Sequence, residues 1–169
     1  MGFSPKLISW REWVGLGAGL VAVAALFLPW TTLSTTRPDV EEALRALPAD
    51  DVARDAWTTG FLAWFPSILL LLTGIVVVLF GQNRTARISG LPQLWLIAAA
   101  VAVVLLVFGS LTIGHEFDEN TLGLLNEGGI STSAGIGRYL AVAGGAVSLV
   151  VAILDARSLR RRGTRPKRS

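Results

Sequence analysis

The stretch LPQLWLIAAAVAVVLLVFGSLTI, Leu91 to Ile113, carries no charged side chain. As one helix it is long enough to cross a hydrocarbon core of about 30 Å, which takes about 20 residues. Three further runs, Val14 to Leu33, Phe61 to Phe80 and Gly135 to Leu154, are of spanning length with almost no charge, Arg138 being the one exception. Hydrocarbon offers no water to backbone N–H and C=O groups, so each run closes its own hydrogen bonds as a helix. The sequence therefore predicts an all-α integral membrane four-helix bundle. It is one transmembrane domain over residues 1–169, with residues 155–169 as a basic tail. A chain of 169 residues has no room for a separate soluble domain beside four spans.

The formal net charge of +3 hides a polarised distribution. Lys6 and Arg11 precede the first run, Arg84 and Arg87 separate the second from the third, and Arg157, Arg160, Arg161, Arg162, Arg165, Lys167 and Arg168 follow the fourth. The acids cluster in the other two loops: Asp39, Glu41, Glu42, Asp50, Asp51 and Asp55 in one, Glu116, Asp118, Glu119 and Glu127 in the other. Short loops rich in Lys and Arg stay in the cytoplasm. The expected location is thus the cell inner (plasma) membrane, multi-pass, with both termini cytoplasmic and the acidic loops outside. Arg157, Arg160, Arg161 and Arg162 are candidates for fixing this topology and holding anionic lipid headgroups, at about 1 kcal/mol per basic residue near the surface. Tryptophan prefers the headgroup region. Trp10, Trp13 and Trp95 fall at predicted inner ends, and Trp30, Trp57 and Trp64 at outer ends.

Lys6 and Arg11 ahead of Ala22, Ala24 and Ala25 resemble the start of a signal peptide, but the run continues through Phe27, Leu28 and Trp30 at full spanning length. It is predicted to be retained as the first span. Gly15 and Gly19 in that span, and Gly137, Ala141 and Gly145 in the fourth, form small-xxx-small faces that let helix backbones approach closely in lipid. Contact between spans one and four is expected, although Gly and Ala are common in membrane helices generally. Pro29 marks the exit of the first span. Pro66, with Gly74 beyond it, predicts a kink in the second, and Pro92 suits the first turn of the third. In the first loop Asp39 and Glu42 give a helix-start signal, and Val40, Ala43, Leu44 and Leu47 recur at helical spacing up to Pro48. This short amphipathic helix in the first extracytoplasmic loop is expected to lid the bundle. The second acidic loop is expected to hold a short helix and then a flexible turn into Ser131, Thr132 and Ser133.

His115, Glu116, Asp118 and Glu119 are weak candidates for a metal or proton-relay site. A metal needs three or four converging ligands, and adjacent residues mostly diverge, so the cluster reads first as a solvated polar edge. Arg138 lies one turn inside the fourth span and is expected to snorkel or to pair with Glu116 or Asp118. Only Ser67, Thr73 and Ser148 offer polarity deeper in the bundle. The scarcity of mid-membrane charge argues against a transporter built from one chain. There is no cysteine, and no nucleophile-elbow, P-loop, zinc-protease or dinucleotide fingerprint. No catalytic residue, cofactor or metal is therefore assigned. The basic tail reads as a membrane flank rather than a nucleic-acid site.

Leu28, Pro29 and Trp30 at the end of the first span, the acidic loop ending at Trp57, and the Gly135 to Gly145 start of the fourth span before an Arg-rich tail are similar to small four-span membrane proteins of actinobacteria. The excess of Arg over Lys, with abundant Ala, Val and Gly, agrees with a GC-rich bacterial genome. The resemblance implies an envelope location and no particular reaction. The layout also resembles claudin-like tetraspans in outline, but their outer-loop cysteine pair is absent and the loop reads as helical rather than stranded, so that likeness is set aside. The function expected is a non-enzymatic accessory or scaffold subunit of a larger cell-envelope or respiratory membrane complex. Alternatives are an oligomeric pore or small transporter, and an outer-face metal-binding or enzymatic protein using His115 and nearby acids. Membrane lipids and either a membrane-protein partner or further copies of the chain are the expected partners.

Overall fold

The computed structural model describes residues 8–48, 52–111, 123, 125 and 127–163. Ser9 starts the first helix through a capping box. Its backbone N–H donates to Glu12 Oε2 at 2.7 Å, and the Glu12 N–H donates to Ser9 Oγ at 3.4 Å. Helix α1 then runs Trp10–Ala24 and tightens into a 3₁₀ turn, Ala25–Phe27. Leu28 precedes Pro29 and is extended, as a residue before proline must usually be, and the helix stops there. The first span thus lies nearer the N-terminus than Val14 to Leu33, because capping starts it early and Pro29 ends it early.

Strand β1, Thr31–Thr35, follows at once. Helix α2, Pro38–Ala46, places Pro38 in its first turn and buries Leu44. Strand β2, Ala53–Arg54, leads to a four-residue turn of helix, α3, Ala56–Thr59, capped by the Asp55 carboxylate accepting from Thr58 N–H at 3.0 Å. Gly60, at φ 131, turns the chain into α4, Phe61–Phe80. A short helix, α5, Arg84–Ile88, joins it to α6, Leu91–Leu111. Strand β3, Ile130–Ala134, precedes the long helix α7, Ile136–Gly163.

Four of these segments, Trp10–Phe27, Phe61–Phe80, Leu91–Leu111 and Ile136–Ser158, are long and apolar enough to cross a membrane. The chain is a multi-pass membrane protein. The four pack as a ring: α1 lies against α4 and α7, α6 lies against α4 and α7, and α1 and α6 stand opposite. Alanines fill much of the interior, with Ala22, Ala99, Ala102, Ala141 and Ala152 beside Leu26, Leu70, Trp95 and Leu106. Small residues there allow the close backbone approach that packs helices in lipid.

The all-α expectation needs correction, because the end of the bundle where α1 exits carries a three-stranded antiparallel sheet in the order β2-β1-β3. Thr31 pairs with Arg54 on one side and Ala134 on the other, and the β1–β3 ladder runs to Thr35 opposite Ile130. Local periodicity does not reveal this pairing, since its two main partners are about a hundred residues apart and meet only when α1 and α7 pack. The first loop is both helical and stranded. Ser131, Thr132 and Ser133, expected in a flexible turn, lie in β3.

Candidate functional site

The buried charged side chains among the described residues lie at the two ends of the ring. At the end where α1 and α6 begin and α4 and α7 finish, called here the basic end, the Glu12 side chain is only 1% exposed. It accepts from Ser9 N–H and from a guanidinium nitrogen of Arg87 in α5, while Arg87 Nε donates to the Gly81 carbonyl. A Cβ at Gly81 would collide with the Glu12 carboxylate, so glycine leaves the space this carboxylate occupies. Asp155 of α7, also buried, lies 3.6 Å from Arg11 Nη1. Two acids and two arginines thereby join α1, the α4–α6 connection and α7. Glu12, Arg87, Asp155 and Trp95 line a tightly closed crevice with no room for a water molecule.

Trp95 reaches into the middle of the ring from α6 and donates Nε1–H to Ser148 Oγ at 3.4 Å. Gly15 of α1 faces it, and a Cβ there would overlap the indole ring. Gly15 thus seats a side chain from the opposite helix. Gly19 faces α4, where a Cβ would sit 2.8 Å from Leu71 Cα. Spans one and four do touch, chiefly where Gly144 meets the Ala18 carbonyl and where Gly137 meets Ala25 and Trp30. Gly145 turns instead toward Leu106 and Val103 of α6, and Ala141 is wholly buried.

At the sheet end the chain exits α1 and enters α7 through shared backbone. Gly135 N–H donates to the Trp30 carbonyl and Gly137 N–H to the Pro29 carbonyl, each at 2.9 Å. A Cβ at Gly135 would collide with the Pro29 carbonyl. Arg138, 3% exposed, does not snorkel. Its guanidinium donates to the Gly109 carbonyl at 3.2 Å and to Thr31 Oγ1 at 3.3 Å, and lies 5.9 Å from the Trp30 ring centroid. Trp30 is itself fixed by Nε1–H donating to the Ala25 carbonyl at 2.7 Å. Trp30 and Trp95 are therefore core residues and not headgroup anchors, whereas Trp10, Trp13 and Trp57 are exposed as interfacial rings would be. Phe27, Trp57, Trp64, Phe61 and Phe65 form a continuous run of ring contacts with centroids 4.6–6.2 Å apart at the sheet end.

His115, Glu116, Asp118 and Glu119 lie outside the described residues, as do Asp50, Asp51 and the segment 164–169. Arg157 is exposed on α7, and Arg160, Arg161 and Arg162 continue that helix. Sequence reading passed over Glu12 and Asp155. Both had signals: Ser9-x-x-Glu12 is a capping box spelled out before an apolar run, and Asp155 is the lone acid after Glu127. Comparison with family models, with curated proteins and with solved structures finds no match.

Proposed function

We propose that this chain is a non-enzymatic accessory or scaffold subunit of a larger membrane complex in the cell envelope or the respiratory system. The observation that supports this reading is the imbalance of the ring. Only 22% of the residues in the α6 span are buried, against 39% in each of the other three. The exposed side of α6 carries Val101, Val104, Phe108 and Leu111 at spacings of three and four, the pattern by which one helix seats another. The same spacing recurs at Leu72, Ile75 and Leu79 on α4 and at Val147, Val150 and Leu154 on α7, so it is the low burial of α6 that sets this helix apart. The arginine and lysine distribution supports cytoplasmic termini and a sheet end outside, where β1 to β3 and α2 would meet envelope components.

The test is a mild-detergent purification of the tagged protein, with mass spectrometry of what stays bound, repeated for the Val104→Ala, Phe108→Ala double variant. A stoichiometric membrane partner that the double variant loses, with the thermal midpoint retained, supports the reading. Recovery of the chain alone, or a partner indifferent to the α6 substitutions, overturns it and directs attention to flux through an oligomer.

A further inference from the structure

The aromatic run at the sheet end is built from three elements. Phe27 closes the first span, Phe61, Trp64 and Phe65 open α4, and Trp57 comes from α3, which belongs to no span. Trp57 bridges the two spans, its ring centroid 6.1 Å from that of Phe27 and 6.0 Å from that of Trp64, on which it stacks. Its neighbour Ala56 is wholly buried, which pins α3 to the ring. The outward side of this cluster stays open: Phe27 is 70% exposed, Phe61 55% and Trp57 44%. The same open surface continues along both helices. Leu20, two turns before Phe27, and Leu72, three turns beyond Phe61, are exposed well inside the spans, where lipid covers them.

Two opposing costs set the depth of α3. The first span has 18 residues. At 1.5 Å per residue it rises about 27 Å, which puts Phe27 at the edge of a hydrocarbon core of about 30 Å. A deeper seat would carry the Asp55 carboxylate, which accepts from Thr58 N–H at 3.0 Å, into hydrocarbon. A carboxylate there costs about 3 kcal/mol. A seat clear of the membrane would leave three aromatic side chains facing water and forgo burial worth roughly 1.5–3 kcal/mol for each one fully covered. We infer that α3 is a headgroup-level anchor: Trp57, flanked by Phe27 and Phe61, seats this non-spanning turn in the interfacial layer of the leaflet that the sheet end meets. Continuity with the lipid-facing surface of the two spans identifies the occupant, and an indole beside a charged cap suits a layer that is apolar on one side and wet on the other. The anchor is independent of the α6 seam.

The chain has no cysteine, so Thr58→Cys carries a lone nitroxide beside Trp57. The full chain in phosphatidylcholine vesicles is measured by electron paramagnetic resonance, with oxygen as the lipid-soluble collision partner and a nickel chelate as the water-soluble one. The label is expected at headgroup depth, between a nitroxide at Leu72→Cys in the hydrocarbon and free label in water. Adding Trp57→Ala should shift the Thr58→Cys label toward the nickel chelate and leave the Leu72→Cys label where it was. A Thr58→Cys label that meets the chelate as freely as label in water overturns the inference, as does one as deep as Leu72→Cys. So does a label that Trp57→Ala does not move. A shift of both labels together overturns it as well, because Trp57 would then serve the packing of the spans and not the seating of α3.

Discussion

The basic end and the sheet end perform the same mechanical task through different contacts among the described residues. At the basic end, three parts of the chain meet through buried charge: Glu12 with Arg87, and Asp155 with Arg11. At the sheet end, α1 and α7 meet through backbone hydrogen bonds and glycine contacts, and the buried cation Arg138 is held by a carbonyl, a hydroxyl and an indole face. Charge pairing joins elements that arrive as separate helix ends. A ladder is available only where the chain is extended on both sides, as it is at β1 and β3. The difference teaches that polar groups near a bilayer boundary are satisfied by whatever the local backbone leaves open.

The two ends should fail differently. Glu12→Ala removes one partner of a buried pair, strands the Arg87 guanidinium and takes the acceptor from the Ser9 N–H in one step. Loss of one member of such a pair is destabilising by on the order of 3 kcal/mol. Thermal unfolding in detergent should show this as the largest effect of any single substitution considered for the ring. The Glu12→Leu, Arg87→Met double variant should recover most of the loss, because an apolar pair of similar volume spares both desolvation costs. If the double variant is as unstable as Glu12→Ala, the pair is not the source of the effect, and the lost acceptor of the Ser9 N–H or the space beside Gly81 is.

At the sheet end, Trp30→Phe keeps an aromatic face beneath Arg138 but deletes the donor to the Ala25 carbonyl. One buried hydrogen bond lost while its acceptor remains costs about 1–2 kcal/mol, and phenylalanine offers a weaker face to the cation than tryptophan. The expected drop in the unfolding free energy is therefore smaller than for Glu12→Ala. An equal or larger drop would mean that the sheet end, and not the charge pairing, dominates the stability of the bundle.

This contrast also explains what was legible in the sequence. The four spans were, because length and the absence of charge are local properties that bilayer thickness converts directly into helices. The amphipathic helix was legible from the spacing of Val40, Ala43 and Leu44 and from Pro38 and Pro48. The sheet was not. Thr31 to Thr35 and Ile130 to Ala134 are short and polar, and they become strands only because packing of α1 on α7 brings them into register. The charge pairing at the basic end was hidden for another reason: Glu12 and Asp155 sit beside arginines in the sequence, and a neighbour in sequence reads as a solvated pair. Both instead turn inward, Glu12 to an arginine far along the chain. Trp30 and Trp95 read as headgroup rings for the same reason, since proximity to a span's end cannot say whether a ring faces lipid or the neighbouring helix, and Gly15 and Gly137 decide that for Trp95 and Trp30.

The smallest effect is expected from the other acid–arginine contact of similar appearance. Arg37 Nη2 lies 2.9 Å from Asp39 Oδ2 at the start of α2, exposed to solvent. That hydrogen bond, with help from the backbone N–H groups of the first helical turn, holds the Asp39 carboxyl below its ordinary value of 3.8. A folded-state value lowered in this way adds stability that is present above the unfolded value and is lost as pH falls through the folded one. The pair is exposed on both sides, so water screens it and its two long side chains must be ordered to make it. An NMR titration should find Asp39 depressed in the wild type and returned toward 3.8 in Arg37→Gln. The thermal midpoint of the bundle should be the same in both proteins above that pH. A midpoint that falls with Arg37→Gln by as much as it falls with Glu12→Ala would show that burial is not what separates the two pairs. Charge at the basic end would then owe its effect to something other than removal from water.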